Sequence, residues 1–113
     1  STDAPDAQSI EVFAKTVGIN QPSRMRRLIT NGHTSATVMQ NPKTRAQQNY
    51  LTAEDADAFH SKFMTPRTMS NVYGRSWQSL GAELRSKGIK PFSPNGEVYG
   101  SLFLRSDIAR AIQ

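Results

Sequence analysis

Arg24, Arg26 and Arg27 crowd one short stretch of the chain, broken only by Met25, with Asn31 just beyond. A guanidinium is planar, always charged and forked, which suits phosphate oxygens and the acceptor edge of guanine. Lys43 and Arg45 stand in the polar run Gln40-Asn41-Pro42-Lys43-Thr44-Arg45-Ala46-Gln47-Gln48. Farther on come Arg75, Gln78, Ser79, Arg85, Lys87 and Lys90. Gln78 carries the donor and acceptor that match adenine, and Arg85 the fork that matches guanine. Each good pair of this kind gives about 1–3 kcal/mol of discrimination. Lys87 and Lys90 are point charges suited to phosphates. The shared chemistry is recognition of a polyanion by charge and hydrogen bonds, with no bond made or broken.

Other chemistries lack their residues. The chain has no Cys, which removes disulfides, thiolate nucleophiles and Cys zinc sites. His33 and His60 are the only histidines and have no ligand-spaced carboxylate beside them, so no metal site is expected. Glu54, Asp55 and Asp57 crowd one helix start, where the macrodipole stabilises them, and do not read as a catalytic pair. Neither a phosphate-cradling glycine loop nor a Ser-His-Asp motif is visible. No catalysis and no cofactor are expected. Trp77 could stack on a base, but Leu80 and Leu84 share its helical face, so it reads as core. Phe59 and Phe63 read as core or as the contact between the two halves described below. Exposed, they would instead suggest a homodimer or partner surface.

Charge and length agree with a small anion-binding domain. In 113 residues there are 14 Lys and Arg against 9 Asp and Glu, a net charge of +5, with an isoelectric point near 10.0. Setting aside Asp3 and Asp6 of the polar opening leaves seven acidic groups against the same fourteen basic ones. Nucleic acid is the first candidate partner for such a balance. A hydrophobic fraction of 36% allows only a thin core, and no apolar run approaches a membrane span. A cytoplasmic location is expected, nucleoid-associated if the source is bacterial, with no membrane contact. Residues 1–8, Ser-Thr-Asp-Ala-Pro-Asp-Ala-Gln, read as a disordered lead.

The elements that must position these side chains come in two sets. Laid on itself 56 positions along, the sequence matches Ser9 to Thr65, Phe13 to Met69, Val17 to Tyr73, Gly18 to Gly74, Leu28 to Leu84 and Gly32 to Gly88. In the first set Ser9 caps a helix whose inner face is Ile10, Phe13, Ala14 and Val17, and Gly18 ends it. After Asn20-Gln21-Pro22-Ser23, with Ser23 a candidate cap, a second helix is expected from Arg24 to Asn31. Met25, Leu28 and Ile29 form its inner face. Strand character at His33–Met39 and Asn49–Leu51 flanks the polar loop as a hairpin. Thr52-Ala53-Glu54-Asp55 opens a third helix by a capping box, carrying Ala56, Phe59 and Phe63.

The second set starts at Thr65-Pro66, a cap followed by proline at the first helical position. Met69, Val72 and Tyr73 form its stripe and Gly74 its end. Trp77, Leu80 and Leu84 then lie on one face of the next helix, opposite Gln78, Ser79, Ala82, Arg85 and Ser86. Asn95-Gly96 signals a tight hairpin between Ile89–Phe92 and Glu97–Leu104, in which Val98, Leu102 and Leu104 alternate with Tyr99, Ser101 and Arg105. Ser106-Asp107 opens a final helix.

Helix, glycine turn, helix and two-stranded wing, met twice, resemble the winged helix-turn-helix superfamily of DNA-binding domains. Ala14-Lys15-Thr16-Val17-Gly18-Ile19 and Tyr73-Gly74-Arg75-Ser76-Trp77-Gln78-Ser79-Leu80 carry the likeness, which is nearest to MerR-type and excisionase-type domains. Met25 falls one position later than the usual apolar anchor, and Arg75 replaces the apolar residue that normally follows the glycine. The expected fold is α+β, mostly helical, as two tandem units with short β-hairpin wings: a lead at 1–8, one unit at 9–63 and another at 64–113. The resemblance implies sequence-specific binding of double-stranded DNA, by a transcriptional regulator or by the targeting or architectural factor of a mobile element or larger recombination or replication protein. The two reading helices would lie on adjacent major-groove segments roughly 10 bp apart. The alternative is a protein–protein interaction module on the same scaffold.

Overall fold

Ser9 does what its position predicts. Its side chain accepts a hydrogen bond from the amide of Val12, and a helix follows. A computed structural model describes residues 7–112. Of the expected lead, residues 1–6 lie outside the described residues. Gln8 belongs instead to a short strand, which corrects the expectation of disorder there.

The order is β1 (Gln8–Ser9), α1 (Ile10–Val17), α2 (Pro22–Thr30), β2 (Thr37–Gln40), β3 (Gln47–Leu51) and α3 (Ala53–Lys62). There follow β4 (Phe63–Met64), α4 (Pro66–Tyr73), α5 (Trp77–Ser86), β5 (Phe103–Leu104) and α6 (Arg105–Ala111). The fold is α+β, with six α-helices and two small antiparallel sheets among the described residues. The first sheet runs β1-β3-β2, with Gln8 opposite Leu51 and Thr37 opposite Tyr50. The second pairs β4 with β5, Met64 opposite Phe103.

Helix ends follow the capping rules. Gly18 and Gly74 both take the left-handed conformation and stop α1 and α4. Thr52 and Thr65 each close a reciprocal cap with the residue three positions on. α2 starts two residues earlier than expected, because Pro22 sits at its first position, and Gln21 stands at the cap in place of Ser23. α6 begins at Arg105, before Ser106.

The cores are two, side by side. One gathers Ile10, Phe13, Val17, Met25, Leu28, Leu51, Phe59 and Phe63, joined by Tyr99 and Leu102 from far along the chain. Phe13 and Phe59 meet edge to face, ring centres 5.2 Å apart. The other gathers Met64, Met69, Leu80, Leu84, Phe103, Ile108 and Ile112. Phe59 and Phe63 are fully buried and offer no surface to a partner. β4 and β5 divide between the cores by the twofold alternation of a strand: Phe63 and Leu104 face the first, Met64 and Phe103 the second. Two further contacts tie the halves: the hydroxyl of Thr65 donates to the carbonyl of Val17, and Arg67 donates to the carbonyl of Lys15 at 3.1 Å.

The halves differ most in their wings. In the first, β2 and β3 form the expected hairpin, although β2 begins at Thr37 rather than His33. Asp55 anchors it, accepting from Ser35 at 2.9 Å, Thr37 at 2.8 Å, and both the amide and hydroxyl of Thr52 at 3.1 Å. Burial pushes the Asp55 carboxyl up, but these hydrogen bonds outweigh it and hold the group below its ordinary value.

In the second half the expected hairpin is absent. Asn95 and Gly96 do form a tight turn, both at positive φ, closed by the Glu97 amide on the Pro94 carbonyl at 3.0 Å. The flanking residues share one backbone hydrogen bond, from the Phe92 amide to the Leu102 carbonyl at 2.6 Å, but form no ladder. Pro91 has no amide to donate, and Phe103–Leu104 pairs with β4 instead. The expected alternation is inverted at its first pair, with Tyr99 buried and Val98 63% exposed, but holds farther on, where Leu102 is buried and Ser101 and Arg105 are exposed. Val72, expected inward, is also exposed.

Candidate nucleic-acid interface

α5 is placed by the cap at Ser76, whose side chain accepts from the amide of Ser79 at 3.2 Å. Leu80, Gly81 and Leu84 bury its inner face. Gln78, Ser79, Ala82, Arg85 and Ser86 are all exposed on the other, as their spacing predicts. Gln78, Ala82 and Arg85 follow one another at helical spacing and form a stripe of roughly 10.5 Å, seven residues at 1.5 Å each. A small residue at its centre lets a flat surface approach.

The two flanks of α5 differ. On one, Glu83 holds Arg75 and Lys87, each at 2.8 Å. Arg75 also donates to the hydroxyl of Ser79 at 2.8 Å, and Lys87 to the carbonyl of Ala111. Lys87 first and Arg75 second hold the Glu83 carboxyl below its ordinary value. Arg75, Ser79 and Lys87 are thus engaged inside the protein. On the other flank Gln78 and Arg85, with Lys90 beyond the helix, have no side-chain hydrogen bond or ion pair among the described residues.

α2 presents a different picture. Its inner face, Met25 and Leu28, is fully buried. Arg26 pairs with Glu11. Arg27 donates to the carbonyl of Val98 and lies over the ring of Tyr99, 5.1 Å from its centre. Asn31 donates to Glu97 at 2.6 Å and to the hydroxyl of Tyr99 at 2.8 Å. The Arg24 side chain lies against Gly100, where any Cβ would overlap its guanidinium. Three of the four residues expected at an interface therefore hold the segment 97–100 of the other half. Sequence reasoning missed Glu97 and Tyr99 as their partners. More than sixty positions separate the groups, and no local pattern encodes such a contact.

Lys43 and Arg45 project from the hairpin loop, exposed and without side-chain partners among the described residues. The loop itself is fixed. Asn41 accepts through its side chain from the amides of Lys43 at 2.8 Å and Thr44 at 3.2 Å, and Arg45 adopts a left-handed backbone at φ 61°. Two exposed charges thus sit on a shaped turn.

No group of three or more His, Cys, Asp or Glu residues that could hold a metal occurs among the described residues. No helix there is long and apolar enough to cross a membrane. His60 packs against Phe13 and Phe59, and burial, with the charge of Arg105, lowers its pKa despite the opposing effect of Asp57. No protein-family model matches the chain, and neither the curated proteins nor the solved structures contain a match.

Proposed function

We propose that this chain binds double-stranded DNA sequence-specifically, without catalysis, as a pair of tandem units related to the winged helix-turn-helix. The observation that carries the reading is the outer face of α5. A helix anchored by Leu80 and Leu84 exposes Gln78, Ala82 and Arg85 in one stripe, with both hydrogen-bonding groups unpaired among the described residues. This is what a major groove accepts: a polar face of limited bulk with base-matching ends. Lys43, Arg45 and Lys90 add positive charge that is unpaired among the described residues and suits phosphates. The role is that of a transcriptional regulator, or of the targeting or architectural factor of a mobile element or larger recombination or replication protein, acting in the cytoplasm.

The test is binding to random duplexes of about 25 bp, followed by fluorescence anisotropy at several salt concentrations. Affinity should fall steeply with salt, with a log–log slope of about −0.9 per phosphate contact. Lys43→Ala should flatten that slope by about one contact and weaken all sequences alike. No binding at low salt would overturn the reading.

One observation favours a second reading, a protein–protein interaction module. α2 already takes a protein segment, through Arg27 on the Val98 carbonyl and Asn31 on Glu97 and Tyr99. A shallow salt dependence with a protein partner would support it.

A further inference from the structure

We infer that the cleft between the two halves is a subsite for one backbone phosphate, held by Arg24 of the first half beside the indole of Trp77 of the second. The inference rests on the DNA-binding reading and adds a place for one backbone phosphate with its attached sugar, beside the stripe on α5. The cleft holds about 300 Å³ and is lined by Asn20, Arg24, Trp77, Tyr99 and Ser101 among others. No Asp or Glu lines it, so its field favours an anion.

Arg24 is set there by Gly100. At φ 74° and without a Cβ, Gly100 leaves room for the guanidinium against its backbone. The guanidinium has no hydrogen-bond acceptor among the described residues, although its own helix-mates Arg26 and Arg27 each have one. A half-buried fork of donors without an acceptor is a ready site for phosphate oxygens.

Trp77 supplies an apolar wall of the cleft. One side of the indole packs near Phe103, ring centres 6.0 Å apart, and the residue is only half-buried. One turn along, a Cβ at Gly81 would lie 3.4 Å from the indole and 3.5 Å from a guanidinium nitrogen of Arg85. The indole edge and the Arg85 guanidinium therefore both lie over Gly81, which connects the cleft to the flank of α5 that carries Gln78. A phosphate on Arg24 brings its sugar beside the indole and changes the indole's surroundings whatever the base.

Trp77 is the only tryptophan, so its emission reports on this cleft alone. The full chain is titrated with an end-labelled duplex of about 25 bp while label anisotropy and indole emission are both followed. Emission should be quenched in step with binding. Arg24→Ala should reduce the quench, weaken every sequence alike and lower the salt slope by about 0.9. Gly100→Ala should do the same by displacing Arg24, and circular dichroism melts identify any variant that has lost its fold. Duplex binding with unchanged emission, and an unaltered slope in both variants, overturns the subsite and leaves the DNA reading intact. If the duplex does not bind, thymidine monophosphate and a short oligo-dT strand serve as probes. An Arg24-dependent quench by either retains the subsite while the duplex reading falls. No response to any probe overturns both.

Discussion

α2 and α5 occupy corresponding places, each the second helix after a left-handed glycine, yet their polar faces have opposite fates. On α2, Arg26 is matched by Glu11, Arg27 by the Val98 carbonyl and Asn31 by Glu97. On α5, the acid is on the flank: Glu83 gathers Arg75 and Lys87 and leaves Gln78 and Arg85 unmatched. The more basic helix therefore keeps only Arg24 without an acceptor among the described residues. Counting cations in the sequence ranks α2 first as a polyanion contact; following each polar side chain to its partner leaves Arg24 on α2 and the neighbouring pair Gln78 and Arg85 on α5. The wings repeat the contrast. The first half has a hairpin that projects Lys43 and Arg45, whereas the equivalent segment of the second half lies on α2.

The contrast can be tested at four depths. Phe59→Ala should cost about 3–5 kcal/mol in urea unfolding, because it empties the centre of the first core. If the cores are joined as β4 suggests, amides of α5 should lose hydrogen-exchange protection together with those of α1. Retained protection in α5 would separate the halves. Arg85→Ala should leave stability within about 0.5 kcal/mol and remove about 1–3 kcal/mol of discrimination at one base pair. Equal losses on specific and random duplexes would end its role as a reader.

Asp55 probes the hairpin that only the first half has. Its folded pKa lies below the unfolded one, so its contribution is complete above the ordinary carboxylate value. It is lost as pH falls through the lower folded value. Acid should then loosen β2 and β3 before α4 and α5, as read by amide NMR, and Asp55→Asn should cost about 1–3 kcal/mol at neutral pH. Simultaneous acid loss of both halves would refute the local anchor. Asn31→Ala is the smallest expected effect, about 1 kcal/mol of stability with base preference unchanged. A shift in preference would return α2 to the bases.

Much of this arrangement is legible from local chemistry. Ser9, Thr52 and Thr65-Pro66 mark helix starts, and Gly18 and Gly74 mark stops, because capping needs only neighbours within a few positions. The exposed face of α5 follows from helical spacing alone. What escaped depends on distant partners. β1 and β5 are two residues long and have no period to read. Asn95-Gly96 truly encodes a turn, but a turn does not oblige its flanks to pair when β4 offers Phe103 and Leu104 a partner and Tyr99 a place in the first core. Pro91 was the warning in the sequence, since it interrupts any ladder through Ile89–Phe92. The cleft beneath Trp77 has no sequence signature, because its walls come from both halves.

β4 has a consequence for how this protein can be handled. Helix α3 passes directly into Phe63-Met64, and Thr65 caps the next helix at once, so no spacer separates the halves. There is no swivel point, and a protease finds no slack backbone between Lys62 and Thr65. Dividing the coding sequence after Met64 would give two pieces, each lacking one strand of the β4–β5 pair and part of its own interior. Under the proposed DNA binding by both halves, an inserted base pair between their two segments would rotate one segment by about 35°, at 10–10.5 bp per turn, with no joint to follow it.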